Sequence, residues 1–249
     1  MNGNSHLDNS VEDIQRCARA GRIPRAHGPY QILVGDENLK FTLAIIEEPE
    51  PTGRQILAGG GLQPEDDFVL FLMLCNGAIE EVRPDEHTDL RRHGLERFLA
   101  FRTDRILRFF VNGREFEWAP RISGYALKFL AGVDPATHDV FLKCQGEVVL
   151  VEDTTLFDLT QPDVEHFFTA GISLQILVNA EPIEVHRRSL SFEDVVRLAY
   201  PEASFAENIG WTVTYSRGPS QNTEGGMVMG QTLILKQGMV VNVRCTDRS

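Results

Sequence analysis

Apolar residues in this chain form short runs broken by Gly, Asn and Asp, and the same succession of runs occurs three times. In the first, Tyr30 to Val34 predicts a strand, Gly35-Asp36-Glu37 a turn, and Leu39 to Ile45 the returning strand. Thr52 is placed to cap a short helix that buries Ile56 and Leu57 and stops at Gly59-Gly60-Gly61. Phe68 to Leu74 is a strongly apolar strand, Asn76-Gly77 a hairpin turn, Ile79 to Val82 the return, and Phe98 to Phe101 a closing strand.

The second succession opens with Ile106 to Val111, Asn112-Gly113-Arg114 and Glu115 to Trp118. Ser123 caps a helix with Leu127, Leu130 and Ala131 on one side, ended by Gly132. Val140 to Cys144, Gln145-Gly146 and Val148 to Val151 make its second hairpin, and Glu165 to Phe168 closes it. The third runs Leu174 to Val178, Asn179-Ala180-Glu181, Ile183 to His186, then a helix from Ser191 to Tyr200 with Asp194 at capping-box spacing. Trp211 to Tyr215 alternates cleanly as a strand; after a longer polar insert come strands over Met227 to Leu235 and Met239 to Val243. Ahead of all three, Ser10 and Asp13 have capping-box spacing, and Val11, Ile14, Cys17 and Ala18 mark one face of a brief helix that Gly21 and Pro24 stop. A helix so short is marginal alone, so it docks on something or frays.

Two phrases fix the period. Asp89-Leu90 with Glu96 and Phe98 recurs as Asp158-Leu159 with Glu165 and Phe167, and Cys75 recurs as Cys144, both 69 positions apart (158 − 89 and 144 − 75). A fixed period marks a repeated structural unit. The predicted organisation is an N-terminal helix and connector over 1–28, then domains over 29–104, 105–171 and 172–249. Each is an α+β unit of roughly 70 residues, a size at which burial is marginal. The first passes to the second through about four residues, too few for free domain motion.

Composition narrows the function. Of 249 residues, 24 are basic and 36 acidic, for a net charge of −12. That charge argues against nucleic acid, which needs a basic surface to displace counterions, and against anionic membranes. No apolar run approaches the ~20 residues of a membrane helix. The start, Met1 to His6, has neither the basic nor the apolar stretch of a secretory signal. Cys17, Cys75, Cys144 and Cys245 form no CxxC pair and suit free thiols in a reducing, cytoplasmic setting.

Candidate chemistry is sparse. Cys75 and Cys144 hold equivalent places at the mouth of a hairpin turn, where the third unit has Ser216, which favours a structural role; a nucleophilic Cys144 with nearby His138 is the enzymatic alternative. The seven histidines show no HxH or HExxH spacing, so no metal is expected. Asp89, Glu96, Asp158 and Glu165 recur as loop-fixing groups rather than as an acid/base pair. Gly59-Gly60-Gly61 follows a helix, the wrong end for a phosphate cradle. The expectation is a non-enzyme without cofactor. Of its four lysines (Lys40, Lys128, Lys143 and Lys236), Lys128 and Lys143 fall at surface-compatible positions.

A helix between two hairpins has to cross one face of the sheet, which sets the second hairpin beside the first. That order resembles the β-grasp, the fold of ubiquitin, so the fold class reads as three tandem ubiquitin-like β-grasp domains preceded by a short helix. The chain further resembles the bacterial multiubiquitin family. The resemblance rests on Glu12-Asp13-Ile14-Gln15-Arg16-Cys17, on Tyr30-Gln31-Ile32, on the repeated Asp-Leu…Glu-x-Phe phrase, and on Gly238-Met239-Val240-Val241-Asn242-Val243. It implies a protein modifier, or its precursor, conjugated through its C-terminal tail in a bacterial, antiphage pathway. The implied partners are activating-enzyme-like and conjugating-enzyme-like proteins, a processing peptidase and conjugation targets. The rival is a non-covalent scaffold that binds those enzymes, and the N-terminal helix docks either on an enzyme or on its own first unit.

The tail, Cys245, Thr246, Asp247, Arg248 and Ser249, lacks the glycine that suits a narrow adenylation site. Trimming to another end, a partner tolerant of bulkier residues, and a chain that is never activated all stay open. Thr103-Asp104-Arg105 follows the first unit's last strand as Thr246-Asp247-Arg248 follows the third's, with Thr169-Ala170-Gly171 in the second. The triplet reads either as a strand-end turn or as a recognition sequence, with peptidase trimming near Asp247-Arg248.

Overall fold

The computed structural model describes residues 11–63, 67–144, 146–162, 166–206 and 209–247. Ser10, Gln145, Glu165, Arg248 and Ser249, which the sequence reading used, lie outside the described residues. Before the first repeat come β1 (Glu12–Asp13) and α1 (Ile14–Arg19). The first repeat contains β2 (Tyr30–Gly35), β3 (Phe41–Ile46), α2 (Gly53–Gly59), β4 (Phe68–Leu74), β5 (Ile79–Val82) and β6 (Leu95–Arg102). The second contains β7 (Leu107–Val111), β8 (Arg114–Trp118), β9 (Arg121–Ser123), α3 (Gly124–Ala131), β10 (His138–Cys144), β11 (Glu147–Val151), β12 (Leu156–Asp158) and β13 (His166–Gly171). The third contains β14 (Leu174–Val178), β15 (Glu181–Val185), β16 (Ser189–Ser191), α4 (Phe192–Ala199), β17 (Ile209–Ser216), β18 (Gly225–Met227), β19 (Thr232–Ile234) and β20 (Val240–Asp247).

All three main sheets share one topology. The orders are β3-β2-β6-β4-β5, β8-β7-β13-β10-β11 and β15-β14-β20-β17-β18. In each, the first and last strands are parallel neighbours: Val34 pairs with Phe98, Val111 with Phe167, and Val178 with Val241. The helices start where the caps predict. Thr52, Ser123 and Ser191 accept from the backbone N–H three residues on, and Ile56, Leu127 and Val195 are buried. Each capping residue is also stitched to the chain ahead of the closing strand: Thr52 bridges His87, Ser123 pairs with Leu156, and Ser191 with Thr232.

That stitch corrects the single strand expected over Met227 to Leu235. Its first part joins the main sheet as β18, and Thr232 to Ile234 turns away as β19 to hold the helix start. The N-terminal helix is capped by Asp13, whose carboxylate accepts from the Arg16 N–H.

By compactness the chain falls into two units: Met1–Gly132 with Val140–Phe168, and Val133–Asp139 with Thr169–Ser249. In the first unit, the central strands β4 and β6 of repeat one are buried on both faces. Leu70, Leu72, Phe98 and Ala100 pack with Ile56 and Leu57 beneath α2. Alternate residues Phe71, Leu99 and Phe101 join the core of repeat two, with Trp118, Leu127 and Phe167. Burial on both faces explains the continuous apolar run of β4. The second unit has its own core around Ile176, Val195, Val213 and Val241, and β17 alternates, with Val213 and Tyr215 in and Thr212 and Thr214 out.

The opening hairpins of repeats two and three turn through two residues of positive φ: Asn112 (53°) with Gly113 (76°), and Asn179 (49°) with Ala180 (70°). Alanine there carries the left-handed penalty, on the order of 1 kcal/mol. Ala180→Gly is expected to raise the unfolding free energy of repeat three by about that amount; a denaturant titration with an unchanged or lower midpoint contradicts it.

Candidate functional site

The proposed working end is the last strand of repeat three. Arg244, Cys245, Thr246 and Asp247 belong to β20 and pair antiparallel with Thr212, Trp211, Gly210 and Ile209 of β17. The side chains of Arg244, Cys245 and Thr246 are exposed. On its other side β20 pairs with β14 only at Val240 and Val241; the Asn179 side-chain oxygen then accepts from the Val243 N–H at 2.8 Å. Its terminal residues are thus a strand held along one ladder, not the free tail expected from sequence. Trp211, opposite Cys245, is fixed in turn: its indole N–H donates to the Ser204 carbonyl at 2.8 Å, and its ring lies against Tyr200 and Phe205.

The threonines of the repeated Thr-Asp-Arg triplet hold equivalent positions but differ in structure, Thr103 in a turn and Thr246 inside β20. Thr103 stands five positions beyond Phe98, and Thr246 five beyond Val241, the residues that pair in parallel with Val34 and Val178. Around Thr103 the chain closes into a turn. Its N–H donates to the Asp67 carbonyl (3.0 Å), its hydroxyl to the Arg105 carbonyl (2.9 Å), and the Arg105 N–H to its hydroxyl oxygen (3.1 Å). The second repeat's counterpart is Ile172, whose N–H donates to the Thr137 carbonyl at 2.8 Å. Thr169-Ala170-Gly171, assigned that place from sequence, lies inside β13.

The recurring Asp-Leu pair fixes loops, as its repetition suggests. Asp89 accepts from the Arg91 N–H and Asp158 from the Thr160 N–H, each at 2.9 Å. Both carboxyls lie below the usual range, held there first by the Arg91 side chain and the Thr160 hydroxyl respectively. Leu90 and Leu159 are buried, and their N–H groups donate to the Pro49 and Pro120 carbonyls. Glu96 does different work: it receives Arg19 at 3.2 Å and also Arg97, tying α1 to β6.

The cysteines do not assemble a catalytic site. His138 and Cys144 begin and end β10, roughly 20 Å apart at strand rise. Cys75 and Cys245 are exposed and all four thiols are free. Cys17, which showed no partner in sequence, is buried, donates to Glu12 at 3.1 Å and lies 2.9 Å from the Arg22 guanidinium. Burial, then the Glu12 carboxylate, push its thiol up to about 11, where it is neutral and inert. Among the described residues, no three His, Cys, Asp or Glu side chains are placed to hold a metal ion, and no helix is long and apolar enough to cross a membrane. Lys40, Lys143 and Lys236 are exposed, but Lys128 is only 3 % exposed and pairs with Asp153 at 2.6 Å, which corrects its surface placement. Sequence gave no signal for this, because a lysine on the inner side of a helix is legible only once its acidic partner is placed.

The N-terminal segment docks on its own first repeat. Glu12 and Asp13 add a parallel strand beside Tyr30 and Gln31, and Ile14 enters that repeat's core. Glu12 gathers Arg22, the Arg25 N–H and the Cys17 thiol around its carboxylate.

Matches to the multiubiquitin family model cover residues 39–103, 107–171 and 174–247, three repeats in tandem. This chain belongs to the multiubiquitin family. No curated protein matches it. The second and third matched spans each take in a whole sheet with its helix, and the first begins after β2, the strand that opens its sheet.

Chiefly the Arg22 side chain holds the Glu12 carboxyl at about 2, well below its ordinary 4.5. A depressed carboxyl pKa stabilises the fold above the unfolded value and loses that contribution as pH falls through the folded one. Docking of the N-terminal segment is therefore expected to weaken between pH 4.5 and about 2. Backbone NMR shifts of residues 12–19 should move over that window in the wild type, and Glu12→Gln should be loosened already at pH 7. Shifts that stay flat to pH 2 contradict it.

Proposed function

We propose that this multiubiquitin-family chain is a ubiquitin-like protein modifier, or the precursor of one, conjugated whole through its C-terminal tail, Cys245 to Ser249. One observation carries the reading. Each repeat has two hairpins about a helix, with its first and last strands parallel at the centre of the sheet. That arrangement is the β-grasp order of ubiquitin, in which the last central strand leads out of the fold. In this reading the modifier comprises ubiquitin-like domains over 29–104, 105–171 and 172–249, after a helix that docks on the first.

The chemistry falls to partners, and the modifier is not itself an enzyme. A carboxylate oxygen at the end of the chain attacks the α-phosphorus of ATP, and pyrophosphate leaves. A nucleophile then displaces AMP, and a target amine finally takes the acyl group as an amide. An activating-enzyme-like protein, a conjugating-enzyme-like protein and a trimming peptidase supply these steps in a bacterial, cytoplasmic, antiphage setting. The exposed side chains of Arg244, Cys245 and Thr246 support the reading, since they leave this end open to an enzyme's grasp.

A second reading has its own observation. Residues 244–247 are laddered to β17, and a strand so held suits a scaffold that binds those enzymes without being joined to anything. Mixing the chain with the activating and conjugating partners, the peptidase and ATP separates the two. The modifier reading expects a target heavier by the mass of the chain, less any residues the peptidase removes and less one water, with the branch at the new C-terminal peptide. Removal of Thr246 onward should abolish the adduct and Cys144→Ser should leave it. Stable binding of the partners with no adduct contradicts the modifier and favours the scaffold.

A further inference from the structure

The sheet face of the first repeat that turns away from α2 is already covered. Phe71, Leu99 and Phe101 point away from α2, and all three are at most 1 % exposed. What covers them is the second repeat. Phe101 lies 4.4 Å, centroid to centroid, from Trp118, which is fully buried, and Phe41 lies 6.5 Å from Phe129.

The junction also traps a cation. Arg97 of β6, 8 % exposed, has its guanidinium 4.9 Å from the Phe41 ring and 5.3 Å from the Phe129 ring, while Glu96 takes one of its N–H groups. A cation desolvated between two aromatic rings gains from both faces and binds one repeat to the other. Parting the repeats would return that charge and at least four large aromatic side chains to water.

We infer that the first and second repeats form a single indivisible body, so a peptide-bond cut in the Thr103–Arg105 connector does not release a free first repeat. The second repeat is the permanent occupant of the first repeat's outer face, in the manner of an obligate subunit interface. Such interfaces resemble a domain core cut in half. The connector itself is a closed turn, whereas a protease needs an extended, exposed stretch. It follows that any trimming of this protein acts elsewhere, and that partner enzymes read the first repeat through its remaining surface.

The inference does not depend on conjugation, and its test uses none. A flexible segment carrying a specific protease site is inserted between Asp104 and Arg105 of the full chain, and the uncut protein is first matched to wild type by thermal melting. After complete cutting, size-exclusion chromatography at 1 μM and below is expected to return both fragments in one peak at the elution volume of the intact chain. Arg97→Leu in the cut protein keeps the packing but loses the cation between the rings, and should shift the dissociation midpoint at least tenfold toward higher concentration. Elution of a separate N-terminal fragment, or aggregation on cutting at 1 μM, overturns the inference. So does a cut Arg97→Leu protein that dissociates at the wild-type midpoint.

Discussion

Two residue pairs set the architecture of each repeat. The chain leaves its first hairpin, crosses by a helix, makes a second hairpin, and must still bring its last strand back beside its first, in parallel. At Val34 with Phe98, Val111 with Phe167 and Val178 with Val241 that return is made over only two register positions. Parallel neighbours cannot be joined by a tight turn, so everything between them serves the crossing. The capped helix supplies the apolar stripe that fills the concave face, and the stitch at Thr52, Ser123 and Ser191 fixes where it begins. The closing strand then ends in the middle of the sheet, which in the third repeat aims the chain's last described residues out along β17.

One fold carries different outer sheet faces in the first and third repeats. In repeat one the face away from the helix is aromatic and joins the core of repeat two, while in repeat three it shows Thr212, Thr214 and Asn242 to solvent. Of the two strands buried on both faces, Phe68 to Leu74 has no polar residue, and Leu95 to Arg102 carries Arg97 into the junction. Repeat three, with one face wet, has a longer excursion before β19 and carries Phe192 where the other repeats have a glycine. At Gly53 and Gly124 an added Cβ would collide with the carbonyls of Arg83 and Glu152. Those two glycines are therefore packing requirements of the helix start.

Much of this was legible in the chain because the controlling signals are local. A hydroxyl followed four residues on by an apolar side chain marks the helix of each repeat, and Asn-Gly or Asn-Ala between apolar runs marks three of the hairpins, at Asn76, Asn112 and Asn179. The features that were not legible depend on residues far apart in sequence. The division of Met227 to Leu235 between two sheets depends on what Ser189 to Ser191 needs as a partner. The burial of Lys128 depends on Asp153, and the role of Arg97 on Phe41 and Phe129. The paired strand over Arg244 to Asp247 read as a tail because its polar side chains alternate with nothing apolar, while its order comes from backbone pairing alone.

Amide hydrogen exchange resolved to single residues tests the parallel return most directly. The Leu177 N–H donates to the Met239 carbonyl at 2.8 Å and the Asn179 N–H to the Val241 carbonyl at 2.9 Å, two of the bonds that join the first strand of repeat three to its last. Both amides are expected to exchange only through global unfolding of that repeat, with protection equal to the slowest core amides of α4. Exchange of Leu177 and Asn179 at the rate of an open loop, with α4 still protected, would contradict the account.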